Sequence, residues 1–223
     1  MIAKQAFNET ISIATQVINA LLGTVGGSSV DGGSLVYDGG LLLSSLQTQI
    51  NGATICPSLA NLFEETRTTG ATYAQFEALR QILLAMSPVT ATGIAVQVFS
   101  IQMCLVEQSQ ILSAMTFDTR PDIDAAIDAI NAAFDQALET AANAYDFIAY
   151  QTLIALAAAT SGFLSAQSIT LPEIIYFTFP QVMPTLWLAQ RIYQDGTRER
   201  ELALENQAIH PLFLASPIRA LSS

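Results

Sequence analysis

The chain has 223 residues, of which 51% are hydrophobic and only 12% charged, and its net charge is −11. A chain of this length can bury a real core, but so small a charged share (about a quarter is usual) predicts a surface partly covered by neighbouring subunits. The acidic balance leaves no basic stripe to neutralise phosphates, so no nucleic-acid partner is expected.

In chain order, the N-terminal stretch "MIAKQAFNETISIATQVINALLG" has one lysine, an acidic Glu9 and no cleavage site, so no secretory leader is expected. Asn8 or Thr10 is expected to cap a helix carrying Ile11, Ile13, Val17, Ile18, Leu21 and Leu22. "GGSSVDGGSLVYDGG", residues 26–40, holds six glycines in fifteen residues and predicts a loop, or a backbone that orders against a partner. It lacks the Lys-Ser/Thr ending of a phosphate loop. Pro57 and Gly70 bracket the next helix, and "TYAQFEALRQILLAMSP" predicts another that stops before Pro88. Cys56 and Cys104, with His210 as the single histidine, form neither a disulfide framework nor a zinc box, and both are expected as small buried apolar groups. No metal or other cofactor is expected. "ATGIAVQVFSIQMCLVEQSQILSAM" predicts a long apolar helix whose Gln97, Gln102, Gln108 and Gln110 face either solvent or a second subunit.

Ile123, Ile127, Ile130, Phe134 and Leu138 then recur at steps of three and four and define one apolar stripe. Asp124, Asp128, Asp135 and Glu139 share another face, expected to be solvated or turned to a partner rather than to ligate a cation. Asp118 or Thr119, ahead of Pro121, is the expected N-cap. No charge lies between Arg80 and Glu107 or between Asp146 and Glu173. Both gaps are long enough to span a bilayer, but polar residues interrupt them and basic flanks are missing, so helices buried in a bundle or assembly are expected instead of a membrane span.

Near residue 169 the character changes. Ile174–Phe179 is β-branched and aromatic and predicts a strand. Pro184 starts a helix that ends at Asp195-Gly196, a second helix begins at Thr197, and "SPIRALS" supplies a returning strand. The fold class expected is mostly α: an elongated helical region over 1–168, then a small α+β module over 169–223 with the order β-α-α-β. Four of the eight basic residues, Arg191, Arg198, Arg200 and Arg219, fall in that module.

That order, with Thr185-Leu186-Trp187, Ala189-Gln190-Arg191-Ile192-Tyr193, Leu202 to Asn206 and His210-Pro211, resembles a LysM module. The Gly-Asp that usually precedes the first helix is replaced by Val182-Met183-Pro184, and the usual Pro-Gly by Ala215-Ser216-Pro217. Over a longer stretch, from about Phe117 to Ser223, the chain resembles the C-terminal part of the DNA circularisation protein family of Mu-like phages. The residues that carry this likeness are Thr119-Arg120-Pro121, the acidic alanine-rich helix, Leu171-Pro172, Leu188 to Tyr193, Asp195 to Arg198, Glu205-Asn206, His210 to Phe213 and Leu221-Ser222.

The resemblance implies a structural virion protein of a contractile phage tail baseplate, assembled in the host cytoplasm. Its implied partners are the tail tube or hub and the sheath and wedge proteins, with about six copies per particle. No catalytic constellation accompanies His210, so no enzyme is expected. The interface candidates are Trp187, Arg191, Tyr193, Arg198, Arg200, Asn206, His210 and Phe213 in the module, and Asp124, Asp128, Asp135 and Glu139 in the helical region. Trp187, between two leucines, is weighted toward the core, His210 toward a turn packed beside Pro211, and the arginines toward either docking or local pairing with Glu199, Glu201 and Glu205. A LysM-type peptidoglycan binder is the alternative.

Overall fold

A computed structural model describes residues 4–24 and 30–222. It is mostly helical, 74% of the chain, with a small two-stranded antiparallel sheet near the C-terminus. Two compact units share the chain: Met1–Met115 with Ala129–Thr160, and Thr116–Asp128 with Ser161–Ser223. Residues 116–128 thus group with the C-terminal unit.

In the first unit, α1 (Lys4–Thr24) packs against each of α2 (Val30–Asn51), α3 (Ile55–Thr68), α4 (Tyr73–Ala85) and α5 (Ala91–Ala114). The expected elongated region is, over these five helices, a bundle about one core. Val17, Ile18, Leu21, Leu35, Leu59, Phe63, Phe76 and Leu83 are its sealed centre. Phe63 and Phe76 stack at 6.3 Å between ring centroids. Each such side chain contributes about 1.5–3 kcal/mol by leaving water.

Three expectations change here. Asn8 and Thr10 lie inside α1 instead of capping it; Thr10 is buried, and its hydroxyl donates to the Ala6 carbonyl and lies 3.0 Å from Thr92 Oγ1. Residues 30–40 of the glycine-rich stretch are helical, while 26–29 lie outside the described residues. Of the α2 glycines, Gly39 permits close helix contact: a Cβ there would stand 2.7 Å from Leu22 Cδ2. Two of the glutamines of α5 also turn inward, whereas Gln110 is exposed. Gln97 Nε2 donates to the Leu83 and Met86 carbonyls at the end of α4, and Gln108 is buried and donates to Glu77.

Side chains specify the helix ends. Thr72 and Gln75 form a reciprocal capping box on α4. At α5, Glu9 reaches across from α1 and accepts from the Val89 and Thr90 N–H groups at 2.7 and 2.8 Å. A Cβ at Gly93 would lie 2.8 Å from Glu9 Oε2 and would displace that carboxylate. These bonds hold the Glu9 carboxyl below its usual range, the Thr90 hydroxyl contributing most.

Helices α6 (Arg120–Asn143) and α7 (Phe147–Ser168) contribute to both units. Ile123, Ile130 and Phe134 of the expected stripe are buried, and Ile127 and Leu138 are half-buried. Thr119, the expected cap, is buried and donates to Asp122. Within the second unit, the Arg120 N–H donates to the Pro172 carbonyl at 3.0 Å and Ser168 donates to Asp124 at 2.8 Å. In the sheet, β1 (Ile174–Phe177) pairs with β2 (Ile218–Leu221), Ile174 facing Leu221 and Phe177 facing Ile218. Helix α8 (Thr185–Tyr193), a 3-10 turn at 196–198 and α9 (Glu199–Glu205) lie between them in the chain. Leu188, Ala189, Leu202, Leu214, Ile218 and Ala220 are their small common core.

Candidate interaction surface

In the C-terminal unit, polar side chains secure the backbone and large apolar ones turn outward. Asn206 is a clip. Its Nδ2 donates to the Arg219 carbonyl at 2.7 Å, and its Oδ1 accepts from the Arg219 N–H at 2.8 Å, so it mimics a further strand along the outer edge of β2. One residue pair further on, the Leu221 N–H donates to the Tyr193 hydroxyl at 3.1 Å. Burial is the main reason the Tyr193 phenol lies above its ordinary range. Asn206 and Tyr193, both interface candidates, therefore hold the fold.

The arginines divide. Arg198 makes a two-pronged pair with Glu201, at 3.0 and 2.5 Å, and its guanidinium lies 3.8 Å over the Tyr193 ring. Arg219 lies 3.8 Å from Glu205. Arg191 and Arg200 are exposed, and among the described residues neither has a carboxylate at ion-pair distance. Arg191 stands four residues after Trp187 and so shares its face of α8.

Trp187 is 46% exposed rather than core, and it meets Phe179 edge-on at 6.1 Å. The inward side of α8 is filled by Thr185, Leu188 and Ala189. The His210 ring packs on Phe213, and its Nδ1 accepts from the Leu212 N–H, in keeping with a turn residue. Phe213 is 68% exposed, and Val182, Leu186 and Leu212 are also exposed. The Thr185 N–H donates to the Pro211 carbonyl and Met183 bridges to Leu214, so the start of α8 lies beside this turn. One end of the module thus carries Trp187, Phe213 and their apolar neighbours beside the unpaired Arg191.

Asp124, Asp128, Asp135 and Glu139 are all exposed on α6. Asp124 accepts from Ser168; no group of three or more His, Cys, Asp or Glu among the described residues is placed to hold a metal.

The candidate residues omitted a second apolar surface, on α7. This helix is long and apolar enough to cross a membrane by length and composition, and only 17% of its most apolar window is buried. In the first unit, Ile148, Thr152 and Leu156 of α7 and Phe99, Met103 and Val106 of α5 line a groove of about 440 Å³. The signal was the charge-free run after Asp146: a helix apolar on every side leaves an apolar face outside whichever side packs inward.

The buried ionic groups of the first unit are paired by contrast, although Gln108 Oε1 has no partner. Burial works against ionisation of Glu77, but bonds from Arg80, Gln81 and Gln108 hold its carboxyl down at about 2. Glu107 is pushed up by burial, although Arg67 pairs with it at 2.7 Å. Arg80 also reaches Gln136 at 2.9 Å. Burial raises the Cys104 thiol, and Cys56, half-buried, is raised in the same way. The space beside Arg80 and Gln136 amounts to about 20 Å³, room for one water and no substrate. No protein-family model matches the chain, and no curated protein matches it.

Proposed function

We propose that the chain is a structural subunit of a large assembly, and specifically a baseplate component of a contractile bacteriophage tail. The coarser part of this reading rests on one observation: large apolar side chains stand uncovered at Trp187 and Phe213 and along α7. Patches of this kind, with a charged residue at the rim, are what protein contacts use. The finer part rests on the resemblance of 117–223 to the circularisation protein family and on the LysM-like order of the module.

In this reading adhesion is the whole mechanism. Helices of the first unit pack on the tube or hub. The LysM-like end docks on sheath or wedge proteins through Trp187, Phe213 and Arg191, with Arg200 at the rim. Quantitative mass spectrometry of purified tailed particles tests it. A fixed stoichiometry to tube and sheath, about six per particle, is expected; absence from particles rejects it. Trp187→Ala is expected to lower incorporation while the isolated protein keeps its fold, since buried tryptophan anchors contribute about 2 kcal/mol or more at interfaces.

The exposed indole also favours a second reading, a LysM-type module stacking a peptidoglycan sugar on Trp187. Sedimentation of the protein with purified cell wall, lost in the same variant, is the outcome that would replace the baseplate reading.

A further inference from the structure

The two edges of the small sheet are finished differently, and the difference points to a binding site. Along antiparallel strands, bonded and non-bonded residue pairs alternate. The Ser222 N–H donates to the Glu173 carbonyl at 2.7 Å, which makes 173 and 222 a bonded pair. The backbone of Arg219 is taken by Asn206 and the Leu221 N–H by Tyr193, so both residues face away from β1. With the observed register, Ile175–Ala220 and Phe177–Ile218 are the bonded pairs, while Ile174 and Tyr176 aim their N–H and C=O groups away from β2. The Phe179 N–H, which donates to Ser216 Oγ, keeps the same parity.

Side chains therefore close the outer edge of β2, but no group among the described residues bonds the outward backbone of Ile174 or Tyr176. Tyr176 is 63% exposed and Ile175 42%. Beside the start of this edge is an open recess of about 370 Å³ lined by Arg120, Pro121, Asp124, Glu173 and Ile174. Open edges are commonly blunted by an internal lysine, proline or bulge. β1 has none of these; Pro172 and Pro180 only confine the edge to the residues between them.

We infer that this edge binds β1 of a second copy of the chain, antiparallel, forming a continuous four-stranded sheet. The register is self-complementary. Ile174 and Tyr176 of one copy exchange backbone bonds with Tyr176 and Ile174 of the other, and the two Ile175 residues meet on the dyad. Ile175 shares a face with the buried Ala220, so the partner covers an apolar side chain left bare at the rim of the core. Charge favours the same occupant. Each copy carries a net charge of −11, yet β1 itself is uncharged, and the flanking Glu173 is already paired with Arg120. An acidic chain can meet its own copy here without opposing unpaired carboxylates. The inference goes beyond the baseplate reading and stands or falls apart from it.

Sedimentation velocity of the full chain over a concentration series tests it, together with amide hydrogen exchange. A concentration-dependent dimer is expected, with Ile174 and Tyr176 amides gaining protection as it forms. Tyr176→Pro deletes an outward N–H that the β1–β2 ladder does not use, and is expected to weaken the dimer at least about tenfold. Ile175→Lys, which sets like charges opposite one another at the dyad, should do the same if the proline variant misfolds. A monomer at every concentration overturns the inference and leaves the edge to a different chain. A dimer in which the Ile174 and Tyr176 amides stay unprotected overturns it as well.

Discussion

The two units achieve order by different means. The first has a sealed centre: Phe63, Phe76 and their neighbours are buried, and its interior charges are matched by Arg67, Arg80, Gln108 and Gln136. The C-terminal unit has six buried apolar residues around its sheet and relies on side-chain clips to its backbone, with Trp187 and Phe213 turned outward. Hydrophobic burial scales with size, so a small module must compensate with directional bonds. What it gains is a surface free for other contacts.

The single tryptophan lies in the C-terminal unit, so its fluorescence reports there while far-ultraviolet circular dichroism is dominated by the helices. The largest effect expected is that of Phe76→Ala, about 3–5 kcal/mol of lost stability, read from the denaturant midpoint of the dichroism signal. Non-coincident wild-type transitions by the two probes would sharpen the contrast into two cooperative units; equal loss in both probes would break it. Next is Asn206→Ala, which leaves the Arg219 N–H and C=O without their partner. It should cost about 1–3 kcal/mol, seen first in the tryptophan signal. An unchanged midpoint would mean that the clip contributes nothing.

The smallest effect expected is that of acid. Glu77 has a folded pKa of about 2 against an ordinary 4.5, so its stabilising contribution is present above pH 4.5 and is lost as pH falls toward 2. Glu107, shifted upward by burial, has the opposite sign: its contribution is present at low pH and lost as pH rises above its ordinary value. The denaturation midpoint of Glu77→Gln, followed from neutral pH to pH 2, should fall less steeply than that of the wild type. A parallel fall would show that Glu77 is not the group being titrated.

Much of the module was legible because its signals are local. Ile174 to Phe177 is β-branched and aromatic, Pro184 sets a helix start, and Asp195-Gly196 ends that helix, so strand, helix, helix and strand follow in the expected order. In the first unit α1 was readable from its apolar periodicity, and α3 and α4 from their Pro and Gly punctuation. What the sequence concealed depends on distant partners. Glycines in 30–40 read as a loop, but they lie in α2, where Gly39 closely approaches Leu22. Thr10 looks like a cap, but its hydroxyl lies beside that of Thr92, far along the chain. The assignment of 116–128 to the C-terminal unit depends on Arg120 bonding Pro172 and Ser168 bonding Asp124. Trp187 sits between leucines, and no local rule says that Leu188 turns inward while the indole turns out. Of the module's candidates, Asn206, Tyr193 and Arg198 bind their own fold, a role that composition does not distinguish from docking.

Helices α6 and α7 differ in one further respect. One carries a ladder of exposed carboxylates, and the other has no ionic group along its length. Mobile cations gather over the first and ignore the second. A partner held by α6 will therefore loosen as ionic strength rises, whereas one held by α7 will not, so salt alone can peel away one set of neighbours and leave the other in place.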